Sequence, residues 1–206
     1  MADIPNKARV VIIGGGVSGC SVAYHLAKQL TSGTTWHAAG LIAQLRATHN
    51  MTRLAKYSQE LYGTLEAETG LATGLRRCGS ITVALTHERR EELLRGASMA
   101  RAFGVDIEEI GPDDVKQRYP YLTTDDVVSG VFLEKDGQGD PTNITLALAK
   151  GARQRGVAIR QGVKVLDFDR QAGRITKVTT SDGDYRADNV VLAAGMWSRG
   201  LGGKLG

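Results

Sequence analysis

Apolar and polar positions change period repeatedly along this chain, and the first change falls at a run of glycines. Residues 9–13, RVVII, form a short apolar run ending at Gly14, and the following SGCSVAYHLAKQL places Val22, His25-Leu26 and Leu30 at helical spacing. This pattern predicts strand, tight turn and helix. A second helix is predicted from Asn50 to Glu68, capped by Asn50, striped by Met51, Leu54, Leu61 and Leu65, and ended by Gly70. From Ile81 the chain reads as a strand, a helix opened by Thr86 and stopped at Gly104, and another short strand. Pro112 opens a short helix as a first-turn proline should. VVSGVFL is the next strand, DGQGDP a turn cluster, and TNITLALAKGARQRG a helix capped by Thr142 or Asn143 and ended at Gly156. The last fifty residues alternate strands (VAIRQ, VKVLDFD, RITKVTT, YRAD, NVVLAAG) with turns, and the best hairpin signal is centred on Asp182-Gly183.

Composition narrows the class. Of 206 residues, 42% are hydrophobic and 23% charged, which is enough to bury a core and excludes a disordered chain. The net charge of +4 comes from scattered Lys and Arg, with Arg76-Arg77 and Arg89-Arg90 the notable pairs. With 5% aromatic residues and no nucleic-acid module, these read as solvated faces, although a mild positive field favours an anionic ligand. Cys20 and Cys78 are too few to staple the fold and are expected as reduced thiols, Cys20 buried at a helix start. No Cys or His spacing resembles a metal site, and His25, His49 and His87 carry no ligand pattern. MADIPNKA is too short and polar for a secretory signal, and no apolar run approaches the roughly 18 residues of a membrane helix. The expectation is a soluble protein of a reducing compartment.

Candidate chemistry concentrates in the glycine run. Gly14-Gly15-Gly16-Val17-Ser18-Gly19 matches G-x-G-x-x-G directly after a strand and at the mouth of a helix. Gly14 permits the tight turn, Gly16 lets a pyrophosphate approach the backbone, and Gly19 lets helix and sheet pack closely, while free N–H groups at the helix start hold phosphate. The fingerprint's second half, an acid about 20 positions on that binds the ribose, is missing, since no Asp or Glu occurs between Asp3 and Glu60. Nor does TSGTT leave room for the second strand before Thr31. An alternative gives that slot to GLIAQL, residues 40–45, with Arg46 at its end to suit the 2′-phosphate of NADP.

Five stretches carry a more specific likeness: RVVIIGGGVSGCSVAYHLAK, LTSGTTWHAAGLIAQLRATHNMTRLAKYSQELYGTLEAETG, RRCGSITVALTHERREEL, DGQGDPTNITLALAKGARQRGV and ADNVVLAAGMWSRGLG. Together they resemble the N-terminal FAD-binding part of the dimethylglycine dehydrogenase and sarcosine dehydrogenase family, relatives of glycine oxidase and D-amino-acid oxidase. TSGTTWHAAG is the most specific element.

The resemblance implies an α/β fold: a Rossmann-like FAD-binding domain with a three-layer, mostly parallel sheet over residues 1–75 and 137–206, and the start of an α+β substrate domain over residues 76–136. It implies a FAD-dependent enzyme that takes a hydride from the N-methyl carbon of a small N-methylated glycine, leaving an imine that yields formaldehyde or a folate-bound one-carbon unit. In several members the histidine of WHAAG carries FAD covalently, which makes His37 the attachment candidate. By the same resemblance Gly14, Gly16, Ser18 and Gly19 face the pyrophosphate, Ser32 and Thr34 lie beside the phosphates and flavin, Val163 meets adenine through its backbone, and Ala194 and Gly195 form the turn that approaches the cofactor again. Relative to the family, the second strand and its acid are expected to be missing between Gln29 and Leu30. The rest of the flavin and substrate domains, and any folate-linked domain, are expected to lie beyond Gly206, so little turnover is expected from this chain alone. The expected location is the cytoplasm, or the mitochondrial matrix in a eukaryote, without nucleic-acid or membrane partners. A reading from another class is a flavin-free remnant or interaction module.

Overall fold

Lys7–Ile13 (β1) runs parallel to Gly183–Leu192 (β9), pairing from Lys7 with Arg186 to Ile13 with Leu192. The computed structural model describes residues 6–25, 31 and 33–205. It divides into two compact units, one of residues 1–39, 64–73 and 140–206, the other of residues 40–63 and 74–139.

In the first unit the sheet order is β1, β9, Arg174–Thr180 (β8), Val165–Gln171 (β7). Only β1 with β9 is parallel; β9 with β8 and β8 with β7 are antiparallel. The α/β class therefore holds, but the expected predominance of parallel pairing does not hold among the described residues. Two-residue loops between β7, β8 and β9 leave no length for a crossover, so these strands can only form hairpins. Ala172-Gly173 joins β7 to β8 with both φ values positive, +48° and +78°, the combination a type I′ turn requires. The β8–β9 turn lies one residue earlier than expected, at Ser181-Asp182, because Gly183 already pairs with Thr180. The Thr180 hydroxyl fixes that register by accepting the Asp182 N–H at 3.1 Å and donating to the Gly183 carbonyl at 2.7 Å. YRAD and NVVL form one strand, not two. VAIRQ forms none; Val157 and Ile159 instead pack on buried Ala152.

Val17–His25 (α1) packs against Pro141–Gln154 (α5), and buried Cys20, Ala149 and Ala152 allow close approach. Asp140 caps α5, accepting the Asn143 N–H at 3.0 Å, and Pro141 occupies the first turn. This replaces the expected Thr142 or Asn143 cap, since the cap must stand ahead of the proline. A core around Ile13, Phe168 and Val178 is closed by Leu201 of Ser198–Gly202 (α6) and by Leu205. Among the described residues β1 has β9 as its only strand partner. The predicted helix positions Leu26 and Leu30 lie outside the described residues.

The second unit contains a three-stranded antiparallel sheet ordered Ser80–Ala84 (β2), Ser129–Leu133 (β3), Glu108–Ile110 (β4). Helix His87–Ala102 (α2) packs on it, capped by Thr86 as expected, and Pro112–Arg118 (α3) packs on β3. Leu41–Ile42 (β5) pairs antiparallel with Gly137–Gln138 (β6). That pairing overturns the alternative in which GLIAQL fills the nucleotide-binding sheet and Arg46 recognises NADP: these residues form a small ribbon in the second unit, and Arg46 donates to its neighbour, the Leu45 carbonyl, at 2.8 Å.

Helix His49–Thr69 (α4) begins one residue earlier than predicted, because Thr48 accepts the N–H groups of Thr52 and Met51 through its carbonyl and hydroxyl; Asn50 is inside the helix. The predicted apolar stripe also fails in part. Met51 and Leu54 are 52% and 57% exposed, while Thr52, Gln59, Leu65 and Thr69 are buried. The polar members are satisfied: Thr52 exchanges hydrogen bonds with the Arg46 backbone, and Gln59 accepts from Gln44 and donates to the Lys135 carbonyl. Beside them, buried Asp136 accepts the Gln44 N–H at 2.9 Å and the Ser80 hydroxyl at 2.7 Å. Among the described residues no helix is long and apolar enough to cross a membrane.

Candidate functional site

The apolar strand β1 delivers its backbone to Gly14, whose φ of +116° suits glycine alone. A Cβ there would stand 2.1 Å from the Ala193 carbonyl oxygen, just past the end of β9. Ala193 in turn donates its N–H to the Ile13 carbonyl at 2.7 Å, so the ends of the two parallel strands close on each other. A Cβ on Gly19 would lie 2.0 Å from the Gly14 oxygen, which explains how α1 can start so close to the strand. Gly16 faces Thr35, with 2.8 Å from its ideal Cβ position to Thr35 Oγ1.

The start of α1 carries no acidic residue in its first turn, so no side-chain negative charge on the helix itself offsets its positive dipole end. Such an end, opened by glycines and lying outside the carboxyl ends of parallel strands, suits a diphosphate. Ser18 is exposed there. Cys20 is buried behind it, its thiol near the Gly15 carbonyl at 3.6 Å and its pKa pushed up to about 12 by burial, with Arg153 opposing weakly. A thiol so held stays protonated and serves packing.

The chain is stitched back to this loop twice. Thr31, at φ +59°, donates its N–H to the Gly15 carbonyl at 2.7 Å, and the Val17 N–H donates to Thr35 Oγ1 at 3.1 Å. Thr35 belongs to the 3-10 turn Thr34–His37 and is buried, whereas Thr34, Trp36 and His37 are exposed. The rings of Trp36 and His37 sit 4.0 Å apart, tilted by 36°. Opposite, Ala194 and Gly195 (φ +56°) open the 3-10 turn Gly195–Trp197, and Trp197 reaches back so that its ring is 3.0 Å from where a Gly33 Cβ would be.

Of the positions named from sequence, Gly14, Gly16 and Gly19 thus gather around the ends of β1 and β9 with Ala194 adjoining, and Thr34 and His37 ride on the turn tied to them by Thr35. Val163 precedes β7, the strand farthest from β1 in the sheet order, and is half-buried. Ser32 lies outside the described residues. Sequence reasoning passed over Thr35, Ala193 and Trp197. The adjacent Thr34 and Thr35 are chemically alike, and only the turn decides which one points inward. Among the described residues no cluster of His, Cys, Asp and Glu could hold a metal ion. The fit to a flavin dinucleotide rests on the space that only glycines leave and on a helix start without an acidic residue in its first turn.

The chain resembles known proteins in sequence and in fold. The chain is 39% identical to 4-methylaminobutanoate oxidase (formaldehyde-forming) of Paenarthrobacter nicotinovorans, over 98% of this chain and 26% of that protein. It is 36% identical to mitochondrial dimethylglycine dehydrogenase of Rattus norvegicus, over 98% of this chain and 25% of that one. Among solved structures, L-proline dehydrogenase from P. horikoshii superposes with a TM-score of 0.91 at 25% identity, covering 98% of this chain and 56% of that one. The chain therefore spans about a quarter of the length of these two curated relatives. The model of the family described as FAD dependent oxidoreductase matches residues 9–206, and the chain belongs to that family.

Proposed function

We propose that this chain holds FAD for the oxidation of a small N-methylated amino acid, of the dimethylglycine or sarcosine kind. The observation that carries the reading is the closure of Gly14, Gly16 and Gly19 on Ala193 and Thr35 at a helix start with no acidic residue in its first turn. The likeness to relatives named for 4-methylaminobutanoate and dimethylglycine supports the substrate class. When bound, FAD supplies the acceptor for the hydride leaving the N-methyl carbon. The residues' tasks would be as follows. The N–H groups at the start of α1 other than that of Val17, with Ser18, meet the diphosphate; Ser32 and Thr34 lie beside the phosphates and flavin; Ala194 and Gly195 flank the ring system; Val163 offers backbone to adenine. Residues 1–75 and 137–206 would form the flavin domain and residues 76–136 part of the substrate domain, in the cytoplasm or a mitochondrial matrix.

His37 is the proposed covalent anchor. Its side chain is exposed and is not buried against the fold, so an imidazole nitrogen can approach the 8α-methyl carbon of the flavin. With FAD bound, His37 would hold the flavin to the exposed side of the turn Thr34–His37.

Visible absorbance of the purified chain tests the reading. A yellow protein with flavin fluorescence retained on the denatured band, lost in His37→Ala, is the expected result. A colourless preparation whose melting temperature does not rise on adding FAD would overturn it in favour of a flavin-free module.

A further inference from the structure

The geometry points to Thr35 as a positioning residue that latches the His37-bearing turn onto the phosphate-facing start of α1. Within the turn Thr34–His37, Thr35 alone is turned inward, while its three neighbours are exposed. Its hydroxyl accepts the Val17 N–H at 3.1 Å, one of the donors that a helix start leaves without an intrahelical partner. Its own carbonyl accepts the Ala38 N–H at 3.2 Å, which closes the turn on the side of His37. One residue thus joins the helix start, through its side chain, to the end of the turn, through its backbone.

A second tether makes the latch directional. The Thr31 N–H holds the Gly15 carbonyl at 2.7 Å, so the returning chain touches Gly15 and Val17 in succession, and Gly16 between them has no Cβ to push Thr35 Oγ1 away. Between these anchors Gly33 runs under the Trp197 ring. Losing the Thr35 hydroxyl removes the side-chain bond between the turn and Val17, and leaves His37 held relative to α1 only by the Thr31–Gly15 backbone bond and by packing of the turn. Thr35 does not touch the reacting atoms in this account; it acts through the Val17 amide and through where the turn places His37. The consequence at His37 rests on the cofactor reading above, whereas the latch itself does not.

The test compares the unaltered chain with Thr35→Val, which keeps the shape and drops the hydroxyl, and Thr35→Ser, which keeps the hydroxyl. Amide hydrogen exchange without FAD is read at Val17 and Ala38, with the β8–β9 ladder as internal reference. The expected result is exchange about fivefold faster at both amides in Thr35→Val, the equivalent of one ordinary hydrogen bond, with the reference unchanged and protection restored in Thr35→Ser. Equal exchange in all three proteins, or a loss in Thr35→Val spread evenly over the reference ladder, overturns the latch. With FAD at saturation, slower build-up of band fluorescence in Thr35→Val than in Thr35→Ser is expected; equal rates overturn the positioning of His37. If the unaltered chain gains no band fluorescence, the covalent reading fails by itself and the exchange experiment still decides the latch.

Discussion

Gly14 and Ala193 occupy complementary space: the carbonyl oxygen of Ala193 fills the position, 2.1 Å away, where any side chain on Gly14 would begin. The contact ties the end of β1 to the end of β9. Gly14→Ala must both adopt φ near +116° and displace backbone, so a loss of about 3 kcal/mol or more is expected. Gly200→Ala, which meets nothing within 4 Å, is the control and should shift stability little. Urea denaturation of both variants checks the contrast.

Asp136 anchors the polar interior of the second unit by accepting from the Gln44 backbone and the Ser80 hydroxyl. Asp136→Ala leaves the Gln44 N–H without its acceptor in a buried place, at a cost of about 2–3 kcal/mol, whereas Ser80→Ala should cost only about 1 kcal/mol. Denaturation monitored by far-ultraviolet circular dichroism distinguishes the two.

Ala172 holds φ at +48° in the β7–β8 turn, a region that L-residues with a Cβ occupy at a penalty. Ala172→Gly should raise stability by about 0.5–1 kcal/mol, the reverse of the usual effect of introducing glycine. A higher urea midpoint is the expected outcome, and an unchanged or lower one contradicts it.

Lys177 bonds Asp184 and Asp169 at 2.8 and 2.9 Å on the exposed face of the hairpins. The lysine holds the Asp184 carboxyl below its ordinary value of 3.8, and the two carboxylates raise Lys177 above 10.5. Because the folded Asp184 value is depressed, its contribution is present above pH 3.8 and lost as pH falls through the folded value. Lys177 acts in the opposite sense, its contribution present below pH 10.5 and lost as pH rises through the folded value. The difference in melting temperature between the unaltered chain and Asp184→Asn should therefore be small, steady at neutral pH, and should close in strong acid.

Cys20 and Cys78 should separate cleanly in thiol labelling. Cys78 is exposed and should react in the native protein, while Cys20, buried with its thiol pushed up to about 12, should react only after denaturation.

The local signals were legible without coordinates. The run RVVII followed by G-x-G-x-x-G, the Thr86 cap, Pro112, and the stops at Gly70 and Gly104 depend on neighbours within a turn or two, and each stands where the pattern placed it. The amphipathic reading of α4 failed for a tertiary reason. Thr52 and Gln59 can be buried only because Arg46, Gln44 and Lys135 supply their partners, and that supply leaves Met51 and Leu54 on the outside.

By itself the sequence determined the strand–glycine loop–helix unit, since a left-handed backbone and a missing Cβ are properties of single residues. Only the tertiary structure decided that GLIAQL leaves the nucleotide-binding sheet, that β7, β8 and β9 form hairpins, and that Thr35 rather than Thr34 meets the Val17 amide. Those outcomes turn on pairings between distant segments, where a hydrogen bond forms with whichever partner the rest of the fold brings within reach.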